Sequence, residues 1–437
     1  MSIRLGLERI LDLLKHLGNP QNDIKAVIHV AGTNGKGSVC ALLSHALAAT
    51  SIKVARFSSP HFITPTDSIC INNTPIPDAT YSNLMNRIKN VAESSMATDL
   101  PSSFEIECAI AFLWFSEQQV DVAVIEVGLG GRLDATNVFT NALCVFTALS
   151  IDHTEFLGST IQEIATQKAG ILHKPCSDCI LGRQESFPES KAVIFAKAKE
   201  VGCQVWEVRD SCIPVAANID ASRSNLVKGR LLGQDIEIDL PLLGTFQYTN
   251  LATVLETLTV FYKHKYSTLF SVPPVSTLIR GLESTSWPGR MEWLAYTAPA
   301  VPAKKSIRFL ADGAHNHQGA ECLRAYLDAK YPGKSVHWVM GMKADREKME
   351  GLVRVLVRGG DVVWSVGFEA PVGMPWIKSM PEDDIIKCVE RIVPSVRECR
   401  VFKGGIREAL DQLVDNERLI VVCGSLYLMA SLHKILQ

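Results

Sequence analysis

The chain lacks any stretch near the roughly 18 consecutive apolar residues that a membrane-crossing helix requires. It also lacks the basic-then-apolar opening of a signal peptide, so neither export nor membrane insertion is expected. Charge of one sign is not in excess, since 44 Lys and Arg stand against 46 Asp and Glu. That balance leaves no footprint for nucleic acid or an anionic membrane surface, so any anionic ligand must be held locally. Internal repeats and low-complexity tracts are missing as well. Cysteine is present, but zinc-ligand spacing is not. The 12 cysteines lie scattered through apolar segments, as at Cys40, Cys108, Cys144 and Cys423, which suits a reducing, cytoplasmic setting. Cys176 and Cys179 form a lone C-x-x-C followed by no second pair or His partner, and read as incidental neighbours without a role.

What is there is a length of 437 residues, beyond the ~250–300 at which one core stops growing, so at least two domains are expected. Leu7, Ile10, Leu14 and Leu17 recur at helical spacing and predict a packed N-terminal helix. Its acidic Glu8 and Asp12 argue against a mitochondrial transit peptide, although a mitochondrial pool stays open. Strand patterns at 26–30, 122–127 and 142–149 alternate with helical patterns at 36–50, 105–118 and 160–172. A second alternating series has strands near 307–311, 336–340, 362–366 and 419–423. The fold class is therefore α/β: an N-terminal domain with a parallel-rich sheet, and a smaller C-terminal Rossmann-like α/β domain. The Pro- and Ala-rich stretch from Thr297 to Ala303 suits a linker and puts the boundary near Pro299, giving domains 1–298 and 299–437.

Gly32, Thr33, Asn34, Gly35, Lys36, Gly37 and Ser38 lie between a predicted strand and a predicted helix. Unpaired backbone N–H groups and the helix dipole favour an anion there. Glycines let the main chain curl around a phosphate, Lys36 neutralises transferred charge, and the Ser38 hydroxyl can approach phosphate or its metal. The spacing departs from G-x-x-x-x-G-K-[ST], because Val30 holds the first glycine position and Gly37 separates Lys36 from Ser38. A glycine turn that merely caps a helix is the plainer reading, and the strand-to-helix context disfavours it.

The run from His29 to Val39 resembles the ATP loop of the folylpolyglutamate synthase and dihydrofolate synthase family, relatives of the muramyl-peptide ligases. Further segments agree in order: Ser58-Ser59-Pro60-His61, the stretch Glu126 to Asn137, Asp152-His153-Thr154 with Lys168-Ala169-Gly170-Ile171, and Trp287-Pro288-Gly289-Arg290 with Asp312 to Asn316. The resemblance implies ATP and two Mg²⁺, the first served by Ser59, Glu126 and His153. Taken alone, His153 reads as a satisfied core histidine. It also implies that Lys168 carries a CO₂-derived carbamate whose oxygens hold the second Mg²⁺, since an ammonium has no lone pair to offer. Gln167, where the family often has Glu, departs from that pattern. Asn250 falls at the adenine position, while Arg290 and Asp312 fall on the nucleotide. A rim salt bridge for Arg290 and a turn-forming Asp312 are the bland alternatives. His315 is placed to orient the incoming amino acid or a reacting phosphate.

The implied reaction phosphorylates a carboxylate with ATP, after which an amine attacks the acyl phosphate. Lys36, Arg290 and the metal ions spread the phosphoryl charge, and closure of the C-terminal domain excludes water. Catalytic candidates are thus Lys36, Lys168, Arg290 and His315. Eukaryotic polyglutamate synthases follow Ser-Pro-His with a Glu-Arg-Ile segment, whereas this chain has Thr66-Asp67-Ser68-Ile69. That departure favours dihydrofolate synthase acting on 7,8-dihydropteroate and L-glutamate over extension of reduced folates. Phe104 and Asp134 are the candidates for stacking on and hydrogen bonding to the pterin, with a core role equally open for Phe104. A monomer is expected. A phosphate-loop kinase or nucleotidase would share Gly32 to Ser38 but would need neither Lys168 nor a second domain.

Overall fold

The computed structural model describes residues 5–96, 99–209, 213–214, 225–298, 306–413 and 418–436. Two compact units emerge. The first is built on eight strands: β1 (Ala26–Ala31), β2 (Val54–Phe57), β3 (Ile69–Ile71), β4 (Thr74–Pro75), β5 (Val122–Glu126), β6 (Leu143–Phe146), β7 (Asp178–Leu181) and β8 (Gln204–Glu207). Their order in the sheet is β4-β3-β2-β5-β1-β6-β7-β8. Neighbours pair in parallel except at one edge, where β3 is antiparallel to both β2 and β4. Parallel strands covered on both faces need apolar side chains at every position, and β1, Ala-Val-Ile-His-Val-Ala, is buried throughout.

Helices close both faces. Lys36–Ala48 follows β1 and is buried almost all round. Ser103–Glu117 opens with a full capping box from Ser102 and Glu105, and Arg9 pairs with the same Glu105 at 3.1 Å. Ile161–Ala169 opens with a second capping box, from Thr160 and Glu163. A core that includes Leu14, Phe57, Ile110, Phe112, Phe146 and Ile161 fills the space beneath, each such side chain stabilising by about 1.5–3 kcal/mol. An antiparallel ribbon not foreseen from the sequence, β9 (Ile213–Pro214), β10 (Leu226–Leu231) and β11 (Gln234–Asp239), precedes the helix Phe246–Val260.

The second unit contains β12 (Glu292–Tyr296), β13 (Ile307–Asp312), β14 (Val336–Met340), β15 (Val362–Val366), β16 (Glu398–Phe402) and β17 (Leu419–Cys423), in the order β12-β13-β17-β14-β15-β16. Only β12 runs antiparallel. The main division of the chain falls between Ser286 and Trp287, earlier than the boundary expected near Pro299. The reason is β12, which pairs with β13 over five residues and so belongs to the second sheet. The linker residues 299–303 lie outside the described residues. Among the described residues no helix is long and apolar enough to cross a membrane.

Candidate functional site

Three neighbouring strands carry the motifs. Parallel β5, β1 and β6 lie side by side, so the loops after them, Val127–Asn137, Gly32–Gly35 and Thr147–His153, open at one end of the sheet. Such a carboxyl-end crevice is where α/β sheets bind ligands. An open cleft of about 250 Å³ is found there, lined by Gly32, Thr33, Lys36, Val127, Gly128, Leu129, Gly130, His153 and Lys168.

The phosphate loop is fastened from beneath. Thr33 N–H donates to the Ala148 carbonyl at 2.9 Å, Thr33 Oγ1 donates to the Ser150 carbonyl at 3.0 Å, and Thr147 Oγ1 donates to the Asn34 carbonyl at 2.7 Å. A Cβ on Gly32 would lie 1.9 Å from Thr147 Oγ1, so only glycine fits. Gly35 caps the helix at φ 88°, and a Cβ there would lie 2.3 Å from Asn250 Oδ1. Asn250 Nδ2 donates to Gln247 Oε1 at 2.8 Å, and Gln247 Nε2 donates to Ser38 Oγ at 3.3 Å. Ser38 is therefore turned inward and buried, supporting the loop with Asn250, while Gly32, Thr33 and Lys36 face the cleft. Asn34 and Gly37 are half-buried beside it.

Lys168 occupies the last turn of Ile161–Ala169 and is 4% exposed. Its Nζ donates to the Gly32 carbonyl at 2.7 Å, joining that helix to the phosphate loop. Burial, reinforced by the nearby Lys36 ammonium, pushes its pKa down to about 7 against the opposing pull of Asp152 and Asp134. Two lysines converging on a cleft at a helix N-terminus make an anion site.

Glu126 ends β5, and Ser59 N–H donates to its Oε2 at 3.3 Å, so these two expected metal ligands meet. His153 sits at φ 53° with its imidazole half exposed on the cleft and 4.0 Å from Asp152. Among the described residues no group of three or more His, Cys, Asp or Glu side chains is placed to hold a metal. A hydroxyl, one carboxylate and one imidazole are a thin donor set, which fits Mg²⁺, an ion that keeps several waters and takes the rest of its oxygens from nucleotide phosphates.

Asp134, the residue expected at the pterin, is hydrogen-bonded within its own loop. Its Oδ2 accepts from Leu129 N–H at 2.7 Å, and its Oδ1 accepts from Thr136 N–H and Thr136 Oγ1. With only 2% of its surface exposed, its visible work is to tie the glycine-rich loop. Burial raises its pKa, and these hydrogen bonds oppose the shift. Buried His29 extends the chain, Nε2 lying 2.9 Å from Thr136 Oγ1. Phe104 is half-buried, packed 6.0 Å from the Phe57 ring and so close to Gly128 that a Cβ there would lie 2.5 Å from its Cζ.

In the second unit Asp312 is likewise hydrogen-bonded to its own chain. Its Oδ2 accepts from Met291 N–H at 2.9 Å and its Oδ1 from Ala314 N–H at 2.8 Å, which fixes the turn carrying Arg290. Burial raises its pKa to about 6 despite Arg290. Arg290 Nη1 donates to the Gly289 carbonyl at 3.3 Å and lies 2.8 Å from where a Gly313 Cβ would be. His315 is exposed, with Nδ1 3.0 Å from the Gly313 carbonyl. Sequence reasoning missed the supporting roles of Thr147, Gln247 and Thr136, whose contacts with Asn34, Ser38 and His29 span 113, 209 and 107 residues of chain.

Comparison with known proteins matches residues 30–258 to the Mur ligase middle domain and residues 293–435 to the C-terminal domain of dihydrofolate synthetase. The chain is 35% identical over 445 residues to dihydrofolate synthetase of Saccharomyces cerevisiae, covering all of this chain and 98% of that one. It is also 35% identical to a probable dihydrofolate synthetase of Schizosaccharomyces pombe, covering 100% and 99%. The solved structure of Mycobacterium tuberculosis folylpolyglutamate synthase complexed with ADP and AMPPCP superposes with a TM-score of 0.78 at 28% identity, covering 99% and 96%.

Proposed function

This chain belongs to the dihydrofolate synthetase and folylpolyglutamate synthase family of ATP-dependent ligases, and from that premise we propose that it joins L-glutamate to 7,8-dihydropteroate, yielding dihydrofolate, ADP and phosphate. The observation that carries the reading is the cleft in which the phosphate loop, Lys36 and buried Lys168 converge. A carboxylate is a poor acyl donor because oxide is a poor leaving group. Its oxygen attacks the terminal phosphorus of ATP, the ADP oxygen leaves, and an acyl phosphate results. The glutamate amine then attacks the acyl carbon, phosphate leaves with the bonding pair, and the amine sheds a proton.

The chain's own groups serve those steps by charge and position. Lys36 and the loop N–H groups hold the transferring phosphoryl group, and Arg290 offers a planar fork that stays charged. Asn250 braces the loop at Gly35 beside the adenine position it was expected to serve, and Asp312 holds the Arg290 turn. His315 is exposed and is the candidate for orienting the amino acid. Phe104, half-buried at Gly128, is the aromatic candidate for the pterin face, and Asp134 keeps the adjoining loop in shape for it. Ser59, Glu126 and His153 would hold one Mg²⁺. When bound, that ion supplies neutralisation of phosphate charge. Lys168, once carbamylated by CO₂, would provide anionic oxygens for a second ion. Support comes from its pKa of about 7, because only a neutral amine adds CO₂.

Thr66-Asp67-Ser68-Ile69 in place of Glu-Arg-Ile favours dihydropteroate as acceptor, while likeness to the mycobacterial folylpolyglutamate synthase favours glutamate-tail extension as the second reading. Incubation with ATP, Mg²⁺ and L-glutamate, plus either 7,8-dihydropteroate or a reduced monoglutamyl folate, separates them by product mass. Dihydrofolate from the first substrate alone is expected. Turnover with neither would overturn both readings, and ADP release without glutamate would point to a kinase or nucleotidase.

A further inference from the structure

The lone C-x-x-C acquires partners in the folded chain. Cys144 in β6 lies directly opposite Cys179 in β7, and Cys203, immediately before β8, brings its Sγ to 2.8 Å from the Sγ of Cys176. Four thiols thus gather at the starts of three adjacent parallel strands, the end of the sheet opposite the cleft. The 2.8 Å approach is well inside the distance at which two non-bonded sulfurs touch. A zinc ion with tetrahedral bonds of about 2.3 Å would hold its sulfurs roughly 3.8 Å apart, so the spacing does not suit a metal.

We infer that Cys176 and Cys203 are a dithiol modification site, oxidised by a hydroperoxide to a reversible disulfide with Cys176 as the attacking sulfur and Cys203 as the resolving one. The strand starts are already stapled, since Gln204 N–H donates to the Ser177 carbonyl at 2.8 Å, so the two sulfurs are held together by the backbone. The outer pair retains some access, Cys176 being 7% and Cys203 8% exposed between exposed Pro175, Ser177 and Gln204, whereas Cys144 and Cys179 are sealed. Lys265 is pinned alongside, its Nζ donating to Ser177 Oγ at 2.6 Å and Asn141 Oδ1 at 2.5 Å.

The asymmetry has a cause. Hydrogen bonds from the Cys144 and Cys203 thiols, with the positive charge of Lys265 and His173, lower the Cys176 pKa, whereas hydrogen bonding with Cys176 and Cys179, together with burial, raises that of Cys203. The Cys176 thiolate attacks the peroxide oxygen and breaks the O–O bond, leaving a sulfenic acid while the alkoxide or hydroxide takes a proton. Cys203 then attacks that sulfur, and water leaves. Overall two thiols and one hydroperoxide give one disulfide, one alcohol or water, and one further water. The disulfide would close a 27-residue crossover.

The reduced full-length protein carries 12 thiols. After brief treatment with one to two equivalents of hydrogen peroxide at neutral pH, denaturation and alkylation should count 12 − 2 = 10. A peptide map should show Cys176 joined to Cys203, with dithiothreitol restoring all 12. In C203A a dimedone adduct should accumulate on Cys176; in C176A none should form on Cys203. Thermal melts confirm that each variant folds, and the wild-type cross-link map stands even where one does not. Twelve alkylated thiols after oxidation, a cross-link between other cysteines, or dimedone labelling of Cys203 in the wild type would each overturn the assignment.

Discussion

Substitution of Lys168 by methionine separates chemistry from packing at the cleft. With its pKa at about 7, near half of Lys168 is neutral at pH 7, whereas an ordinary lysine is neutral in only about one molecule in 3,000. Burial therefore raises the CO₂-reactive form by about a thousandfold. The sign for stability follows from linkage. A pKa lowered by folding means the ammonium favours the unfolded chain, so native stability rises with pH between about 7 and 10.5. K168M removes that buried charge but leaves the Gly32 carbonyl without its donor, a loss of about 1–3 kcal/mol that the relieved desolvation offsets. The melting temperature at pH 7 should thus shift by only a few degrees. Glutamate-dependent ADP release should fall by about 10²-fold or more, as expected for a charge-organising group. Exhaustive CO₂ removal should reduce wild-type turnover and bicarbonate should restore it, with no such rescue in K168M. A K168M enzyme within tenfold of wild type, or wild-type activity indifferent to CO₂, would refute the reasoning.

Three more perturbations read the supports of the loops. G35A should destabilise by about 1–2 kcal/mol from backbone strain at φ 88° and by about 1–3 kcal/mol from the clash with Asn250, raising KM for ATP. The double variant G35A/N250A should recover the steric part in a denaturation cycle, and additivity within about 0.5 kcal/mol would exclude the contact. The raised pKa of Asp312 makes its ionisation unfavourable to folding, so stability of the second unit should decline as pH rises from about 4 through 6. D312N should flatten that slope in melts of the full chain at graded pH, and an unchanged slope would count against the burial argument. His29, with its pKa lowered to about 3 by burial and His173, must stay neutral to fold. Stability should therefore fall as pH drops below about 6.5, and H29Q should lessen that loss.

Local pattern made much of this protein legible. The apolar run of β1, the glycines after it and the helical spacing from Lys36 are neighbours in the chain, so strand, phosphate loop and helix could be read where they stand. The alternating series likewise foretold two α/β units, because burial on both faces of a parallel sheet demands continuous apolar strands. The boundary escaped for the same reason: β12 is half-buried, pairs antiparallel at an edge and carries no strong pattern. Motif resemblance named Lys168, Asp134 and Asp312, but their environments come from residues remote in sequence. Lys168 meets Gly32 across 136 positions, and that burial, with the Lys36 charge nearby, lowers its pKa. Asp134 and Asp312 proved to bind their own backbone, which residue type alone cannot tell from a ligand contact. The cysteines mark the limit most plainly. No spacing rule links Cys144 and Cys203 to the C-x-x-C of Cys176 and Cys179, and the order of β6, β7 and β8 sets these residues side by side.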